Sequence, residues 1–236
     1  MAGSWDNRGN VRSKAGRGKV RVHTARGRSN SSAIWLQRQL NDPYVAEARR
    51  LGYRGRAAFK LKEINERYKL LKGAKRVVDL GCAPGGWLQV ITEELGGKIE
   101  LVGIDLQEVE PVEGAVLMQM DFLSPGADER LMEKLGGPVD IVLSDMANSA
   151  TGHKATDHIK TMALCEAALD FALRVLAPGG KFVSKVLQGG SDAELLKIMK
   201  KHFKTVKHAK PPSSRQGSTE WFVVAQGFKG RDIDTK

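Results

Sequence analysis

Short apolar runs alternate with amphipathic stretches along most of this chain after residue 75. Val77-Val78-Asp79-Leu80 is typical of a strand buried in a parallel sheet, and Gly81 follows it directly. From Trp87 to Leu95 the apolar residues recur at helical spacing, and Gly96 ends that helix. The same alternation predicts strands at 76–81, 99–105, 116–121, 139–145, 180–186, 203–208 and 219–228, and helices at 84–95, 128–135, 157–176 and 191–201.

Strands that alternate with helices in this way predict an α/β fold with a doubly wound, mostly parallel seven-stranded sheet. The last strand should run antiparallel and lie at the far end of that sheet. Asp157 is predicted to cap the longest helix, because an aspartate side chain accepts hydrogen bonds from a first helical turn. The run Ala177-Pro178-Gly179-Gly180 predicts a sharp turn between this helix and the next strand.

The chain before residue 76 has a different pattern. Residues 1–30 are rich in Gly, Arg, Ser and Asn and have few apolar side chains, so burial cannot offset the entropy of ordering them. Residues 31–75 predict a small N-terminal helical extension, with a short helix at Ile34–Leu36, a second at Tyr44–Leu51 and a third at Arg56–Tyr68. We therefore expect a disordered basic arm at 1–30, an RNA-binding helical extension at 31–75, the α/β domain at 76–230 and a tail at 231–236.

Charge is distributed unevenly between these regions. The formal net charge is +11, yet residues 1–30 carry +7 and residues 31–75 carry another +7, which leaves −3 for the rest. A basic N-terminal third on a slightly acidic body is typical of a protein that binds a polyanion such as RNA, although a solubilising tail would also explain the arm. The basic side chains expected to contact RNA are Arg26, Arg28, Arg38, Arg54, Arg56 and Lys62.

Several other classes are disfavoured by composition. No apolar run is long enough to span a bilayer, and no signal-peptide core follows Met1. Cys82 and Cys165 have neither metal-ligand nor redox spacing, so we expect no metal and a reducing, cytoplasmic setting. Aromatic residues are only 6% of the chain, which favours recognition of folded RNA over stacking of many unpaired bases.

The glycine-rich turn after the first strand predicts a nucleotide-type pocket. Gly81, Gly85 and Gly86 allow a ligand to approach bare backbone, next to the N-terminus of the following helix. The turn departs from the dinucleotide fingerprint, because Ala83 occupies the position of the glycine that faces a pyrophosphate. A nicotinamide-dependent oxidoreductase is therefore a weaker alternative.

Charged residues recur at the predicted carboxyl ends of the strands, where the ligand crevice of a parallel sheet lies. Asp79, Asp105, Asp121 and Asp145 should converge there, although each alone could be an ordinary turn or cap residue. Lys185 is unusual in a central apolar strand and should face the same crevice, unless its side chain extends to the surface. Glu220, just before Trp221-Phe222-Val223-Val224, would bring a further charge to that strand edge.

The motif D-L-G-x-A-P-G-G-W at 79–87 resembles the first motif of S-adenosylmethionine-dependent methyltransferases, specifically the FtsJ/RrmJ ribosomal-RNA 2'-O-methyltransferases. The resemblance extends from Ser32 to Phe228 and departs at Asn148, where that family usually has proline. It implies a Rossmann-like methyltransferase fold with S-adenosylmethionine as cofactor. It also implies a catalytic tetrad of Lys60, Asp145, Lys185 and Glu220, and cofactor contacts from Asp79, Gly81, Ala83, Pro84, Gly85, Gly86, Trp87, Asp105, Leu106, Asp121, Phe122 and Asp145.

By the same resemblance, the expected reaction is methylation of the ribose 2'-hydroxyl of a uridine in the A-loop of 23S ribosomal RNA, on the large (50S) ribosomal subunit. Lys185 would be the base, with its pKa lowered by the ammonium of Lys60, while Asp145 and Glu220 orient the lysines. We expect a monomer that contacts no membrane. The alternatives are a 2'-O-methyltransferase for transfer RNA or a messenger cap, and a ribosome-assembly factor that binds RNA without catalysis.

Overall fold

The computed structural model describes residues 30–96, 99–148, 152–188, 193–215 and 217–231. The predicted basic arm, with Arg26 and Arg28, lies outside these residues apart from Asn30. Seven helices and seven strands occur in the described part of the chain. In chain order they are α1 (Asn30–Leu40), α2 (Pro43–Leu51), α3 (Ala57–Tyr68), β1 (Arg76–Leu80), α4 (Gly86–Leu95), β2 (Glu100–Asp105), β3 (Ala115–Gln119), α5 (Ala127–Leu135), β4 (Val139–Ser144), α6 (Lys154–Val175), β5 (Leu176–Leu187), α7 (Ala193–His202), β6 (Phe203–Ala209) and β7 (Glu220–Phe228).

The seven strands form one sheet in the order β3-β2-β1-β4-β5-β7-β6. Strands β1 to β5 pair in parallel, whereas β7 is antiparallel to both β5 and β6. The predicted α/β sheet is confirmed, but the predicted position of the last strand is wrong, since β6 and not β7 forms the edge. The physical reason is that the apolar run of β7 is buried between two neighbours, while the lysines of β6 tolerate an edge.

The two faces of the sheet carry separate hydrophobic clusters, as expected for alternating side chains of buried strands. Val78 and Leu80 of β1 belong to the cluster with α5, α6 and α7. Val77 belongs to the other cluster, together with Leu61 and Ile64 of α3 and with residues of α4. Helix α3 therefore packs in the same core as the sheet, and this packing continues across the predicted domain boundary at residue 75.

Two helices differ most from the sequence-based expectation. Helix α1 has 11 residues, from Asn30 to Leu40, and is longer than the predicted short helix. Helix α6 begins at Lys154, so Asp157 lies in its first turn and is not its cap. An aspartate is also favourable in a first turn, because its charge interacts well with the positive end of the helix dipole, and this explains why the sequence was ambiguous.

A buried aspartate joins the N-terminal helices to the loop before β7. Asp42, 9% exposed, accepts from Arg56 and from Arg215, whose Nε lies 3.3 Å away. Glu63 of α3 accepts from the backbone N–H and the hydroxyl of Ser213 at 2.9 and 2.6 Å. These contacts hold the segment that leads into β7 against α3, so they fix the relative positions of two functional elements described below. Within the described residues, no helix combines the length and apolarity needed to cross a bilayer.

Candidate active site

Four charged side chains from distant parts of the sequence meet at one edge of the sheet. Lys60 projects from the first turn of α3, and Asp145 follows the last residue of β4. Lys185 lies near the end of β5, and Glu220 begins β7. The parallel β4–β5 register brings the ends of those strands together. The antiparallel β5–β7 register pairs Leu187 with Glu220, so the start of β7 lies beside the end of β5. The fold thereby brings all four members of the predicted tetrad together.

The tetrad forms a closed ring of alternating charge. The Nζ atom of Lys185 lies 2.6 Å from Asp145 Oδ1 and 3.6 Å from Glu220 Oε1. The Nζ atom of Lys60 lies 3.2 Å from Glu220 Oε2 and 3.9 Å from Asp145 Oδ2. Lys185 also donates to the backbone carbonyl of Asp145 at 2.9 Å. Each ammonium therefore faces both carboxylates, and the charges balance within the ring.

The protonation of this ring is controlled by the pairing of its charges. Lys60 and Lys185 are buried, with 8% and 7% exposure. Burial disfavours the charged form of Lys185, but the carboxylates of Asp145 and Glu220 outweigh it and raise the pKa of this lysine. Burial likewise opposes ionisation of Asp145 and Glu220, yet the neighbouring ammonium groups lower the pKa of both. The expectation of a lowered pKa for Lys185 is therefore wrong, because the two carboxylates decide the net direction of the shift.

A cavity of about 400 Å³ adjoins the tetrad at the carboxyl ends of β1, β2 and β4. Asp145 belongs to both the cavity and the ring, so one carboxylate connects the two sites. Seven of the residues predicted to bind the cofactor line this cavity, namely Gly81, Ala83, Asp105, Leu106, Asp121, Phe122 and Asp145. The predicted cofactor contacts did not include seven other lining residues, which are Ile104, Gln107, Met120, Leu123, Met146, Ala147 and Leu164. Asn148, where the sequence departs from the family pattern and which was expected to border the pocket, also lines it.

Most of these additional lining residues directly follow a strand end or an acidic residue that had been predicted. Met146, Ala147 and Asn148 continue from Asp145, and Gln107 lies two residues after Asp105. Their proximity to a strand end was the signal that could have identified them. Leu164 comes from the interior of α6, and no local pattern marks it as different from a core leucine.

The turn after β1 is held by the acid at the end of β2. Asp105 accepts from the backbone N–H of Ala83 and of Gln107, both at 2.9 Å. Gly81 has φ +80°, and a Cβ added there would lie 2.8 Å from the Cα of Met146. A side chain at this position would therefore clash with backbone, and the left-handed φ also favours glycine. These contacts keep the turn open to the cavity.

Asp79 has a different environment from the other acids. Its side chain is fully buried in β1, it does not line the cavity, and both carboxylate oxygens lack a hydrogen-bond partner among the described residues. Burial, followed by repulsion from Asp145 and Asp105, raises the pKa of Asp79 well above its ordinary value. The acidic residues that line the cavity, Asp105, Asp121 and Asp145, fit a cationic ligand. S-adenosylmethionine carries a sulfonium and an ammonium, so the donor set of this cavity is compatible with that cofactor.

The remaining predicted cofactor residues lie beside the cavity without lining it. Trp87 is 3% exposed, donates from its indole N–H to the carbonyl of Ala57 at 2.8 Å, and packs on Phe222. Gly85 lies against the guanidinium of Arg54, since a Cβ added there would be 2.7 Å from an Arg54 nitrogen. That Trp87, Pro84, Gly85 and Gly86 bind cofactor stays a prediction, and their observed contacts support the fold of the turn.

Three of the basic residues predicted to contact RNA have partners inside the protein. Arg54 donates to the carbonyls of Pro84, Glu110 and Pro111 at 3.2, 2.5 and 2.7 Å. Arg56 pairs with Asp42 and its guanidinium lies over the ring of Tyr44, while Lys62 pairs with Glu93 at 3.2 Å and donates to Tyr53. Arg38 of α1 is exposed to solvent. The observed contacts give Arg54, Arg56 and Lys62 a role in stabilising the fold, while RNA contact stays a prediction.

The described residues contain no group of three or more histidine, cysteine, aspartate or glutamate side chains arranged to hold a metal ion. Cys82 and Cys165 are both buried as free thiols. Burial raises the pKa of the Cys165 thiol to about 11, so this thiol stays protonated near neutral pH. Neither cysteine is placed to act as a nucleophile.

Comparison with known proteins identifies relatives that match nearly the whole chain. A family model described as FtsJ-like methyltransferase matches residues 53–228. A protein from Parvibaculum lavamentivorans named Ribosomal RNA large subunit methyltransferase E is 56% identical over 243 aligned positions, covering 95% of this chain and 96% of that protein. A protein of the same name from Novosphingobium aromaticivorans is 60% identical over 211 positions, covering 89% of this chain and 95% of its own length.

A solved structure is also similar. A crystal structure described as a ribosomal RNA methyltransferase from Plasmodium falciparum superposes with a TM-score of 0.68 at 32% sequence identity. The match covers 76% of this chain and 100% of that one. The arrangement of strands and helices described above is therefore shared with that protein over the matched region.

Proposed function

This chain belongs to the FtsJ-like methyltransferase family, and on that premise we propose that it transfers a methyl group from S-adenosylmethionine to ribosomal RNA of the large subunit. The observation that carries the proposal is Asp145, which lines the cavity and pairs with Lys185 at 2.6 Å. The names of the relatives support the choice of RNA. In finer detail, we propose the ribose 2'-hydroxyl of a uridine in the A-loop of 23S ribosomal RNA as the acceptor.

The tetrad is suited to activate a ribose hydroxyl. Such a hydroxyl is a weak nucleophile, and it must lose its proton as its oxygen forms the new bond to carbon. S-adenosylmethionine supplies a methyl group that its sulfonium already activates. Lys185 accepts the hydroxyl proton at Nζ, for which it must first be in its neutral form.

The raised pKa of Lys185 must fall before this lysine can act as the general base. Asp145 and Glu220 stabilise the charged ammonium, so Lys185 is protonated when only protein groups surround it. Asp145 also lines the cavity, so a cation bound there would interact with the same Asp145 carboxylate that pairs with Lys185. Sharing weakens the stabilisation of the ammonium and lowers the pKa of Lys185 toward the range of a general base. The ring should titrate as a coupled unit.

The other two charges position Lys185. Glu220 holds Lys60 at 3.2 Å and Lys185 at 3.6 Å, so it keeps both ammonium groups on the same side of the cavity. Lys60 balances the second carboxylate and presents a positive charge toward a phosphate or hydroxyl of the substrate. Removing any one member leaves the ring with one uncompensated charge, which is costly in this largely buried environment.

The function is tested by incubating the protein with radiolabelled S-adenosylmethionine and purified large ribosomal particles that lack the modification. The expected result is label in 23S RNA at one ribose, mapped as resistance of the adjacent phosphodiester to alkaline hydrolysis. Transfer RNA and capped messenger RNA serve as competing substrates. Label on a base would remove the 2'-hydroxyl from the proposal, and label on transfer RNA alone would replace the substrate.

A ribosome-assembly factor without catalysis is separated by complementation. Cells that lack this protein are supplied with either the wild-type chain or the Lys185→Ala variant, at matched expression. Growth restored by the wild type alone supports an enzymatic role. Growth restored equally by the variant supports assembly without methyl transfer.

A further inference from the structure

The segment that contains α7 and β6 has the opposite charge from the rest of the α/β domain. Residues 193–215 contain seven basic side chains and one acidic side chain, for a net charge of +6. Residues 76–192 contain nine basic and eighteen acidic side chains, for a net charge of −9. The small net charge of residues 76–236 therefore conceals a strongly basic strip at one edge of the sheet.

The basic side chains of this strip are exposed. We refer to Lys197, Lys200, Lys201, Lys204 and Lys207 as the β6 basic edge; all five side chains are exposed to solvent. The acidic residue of the segment, Glu194, lies 3.7 Å from Lys197. Lys200 also affects His208 of β6, since partial burial and then this neighbouring ammonium lower the pKa of His208. The lowering of the His208 pKa by the Lys200 ammonium indicates a local excess of positive charge.

The geometry directs this strip toward the tetrad. Strand β6 pairs with β7 alone in the described sheet, so its other edge is open. Residues 204 to 210 cover about 20 Å at about 3.3 Å per residue of extended chain. At the end of that path, Lys210 donates to the carbonyl of Ser218 at 2.9 Å, two residues before Glu220. Lys204 and Lys207 are three residues apart in an extended strand and therefore point to opposite faces of the sheet. The positive charge is thus spread over both sides of an edge that ends at the loop beside the active site.

Protection of the sheet edge explains only part of this pattern. Lysines on an edge strand prevent pairing with other chains, and this accounts for Lys204 and Lys207. It does not account for Lys197, Lys200 and Lys201, because a helix has no open strand edge to protect. Clustered lysines on both a helix and the adjacent strand are typical of a surface that binds phosphates.

We propose that the β6 basic edge binds the phosphate backbone of the substrate RNA and guides it toward the tetrad. This inference rests on the proposed function, since it assigns a contact surface to the same RNA. Phosphate contacts fix register and orientation without reading sequence. The β6 basic edge would thus act together with the N-terminal region, from the opposite end of the sequence, to hold a folded RNA over the active site.

The test compares two double variants with a matched control. One variant, Lys204→Gln/Lys207→Gln, changes the strand, and the other, Lys197→Gln/Lys200→Gln, changes the helix. Because the two variants alter different elements, a loss of RNA affinity in both cannot be explained by misfolding of one element. The control, Arg130→Gln/Lys134→Gln, removes the same charge from two exposed residues of α5. Affinity for purified 23S ribosomal RNA is measured across a range of salt concentrations, together with affinity for S-adenosylmethionine.

Each test variant should bind the RNA roughly 3- to 10-fold more weakly at moderate salt, with the slope of log K against log salt reduced by about 1 to 2. Cofactor affinity, and the methyl-transfer rate at saturating RNA, should stay at the wild-type value. The control should match the wild type in slope. An unchanged slope in both test variants overturns the proposal.

Other results assign the lysines differently. Normal RNA affinity with new self-association, seen by sedimentation, would mean that the lysines only protect the strand edge. Weaker binding to intact large particles but not to naked RNA would point to a ribosomal protein and overturn the RNA assignment. If the wild type binds this RNA with a slope that the variants reduce, yet transfers no methyl group, the proposed function fails and the contact surface stands.

Discussion

Asp79 lies in β1 and is fully buried, whereas Asp145 directly follows the neighbouring strand β4 and keeps 16% side-chain exposure. The pKa values of the two aspartates shift in opposite directions. Asp145 lies 2.6 Å from the ammonium of Lys185, and the nearby lysines lower its pKa in spite of burial. Asp79 has no hydrogen-bond partner in the described residues, and burial together with the adjacent acids raises its pKa. Burial disfavours the ionised form of both aspartates, so the presence of a lysine partner decides which of them stays ionised.

The comparison also distinguishes the roles of the two groups. A paired carboxylate can hold a lysine in a defined position at the edge of the cavity. A buried carboxyl that has a raised pKa and no hydrogen-bond partner among the described residues is less suited to hold a cation. The following substitutions test this difference, beginning with the one expected to have the largest effect.

Replacement of the lysine that pairs with Asp145 should have the largest effect. Lys185→Ala is expected to lower the methyl-transfer rate roughly 10²- to 10⁴-fold, because the hydroxyl proton loses its acceptor. Lys185→Arg should be similarly inactive, since a guanidinium keeps its proton. The rate is measured with labelled S-adenosylmethionine, and cofactor binding by calorimetry should survive.

The matched control for this substitution is Lys181→Ala. Lys181 lies in the same strand, but its Nζ donates to the carbonyls of Lys69 and Leu70, away from the tetrad. It should lower stability and leave the chemical step intact. A Lys185→Ala protein that methylates at a rate close to that of Lys181→Ala would remove Lys185 from the mechanism.

Asp145→Asn should lower both activity and stability. It leaves the two ammonium groups facing Glu220 alone, and breaking a buried pair in this way costs about 3–5 kcal/mol. Because the pKa of Asp145 is lowered in the folded protein, its contribution is present above the ordinary aspartate pKa of about 3.9 and is lost as pH falls. Urea unfolding at several pH values should show this acid-side loss in the wild type and a weaker one in the variant.

Lys60→Met should move the pH dependence of catalysis. Lys60 shares both carboxylates with Lys185, so its removal leaves them to stabilise the Lys185 ammonium more strongly. The rising limb of the pH–rate profile should shift to higher pH, with a rate loss on the order of tenfold at neutral pH. Lys62→Met, on the same helix but paired with Glu93, is the control and should keep the wild-type profile. A Lys60→Met profile that superposes on the wild type would contradict the sharing of charge.

Asp79→Asn should have the smallest effect on stability, within about 1 kcal/mol at low pH, because a protonated carboxyl and an amide are both neutral there. The pKa of Asp79 is raised in the folded state, so wild-type stability from this group is complete below the unfolded pKa and is lost as pH rises through the folded value. The variant lacks that loss, and its stability relative to the wild type should therefore increase with pH. Parallel stability curves for the two proteins, measured by urea unfolding, would show that Asp79 is ionised in the folded state.

The sequence predicted an element correctly where one local pattern was sufficient to identify it. The apolar run at Val77 and the helical spacing after Trp87 correctly identified β1 and α4, because these patterns reflect local side-chain alternation. The place of β7 was predicted incorrectly, although the lysines of β6 could have indicated the edge strand. Arg54 could not be assigned from sequence, since nothing local shows that its guanidinium contacts the carbonyls of Glu110 and Pro111.

The amino-acid sequence alone determined which side chains of the tetrad are present and which segments carry them, since residue type and local periodicity are properties of short stretches. Only the tertiary structure decided that Lys60 lies 3.2 Å from Glu220, a residue 160 positions away along the chain. It also decided that Asp145 is paired while Asp79 is not. The physical reason is that Coulomb energies and desolvation depend on distance and burial in three dimensions, so protonation follows from packing and cannot be derived from spacing in the sequence.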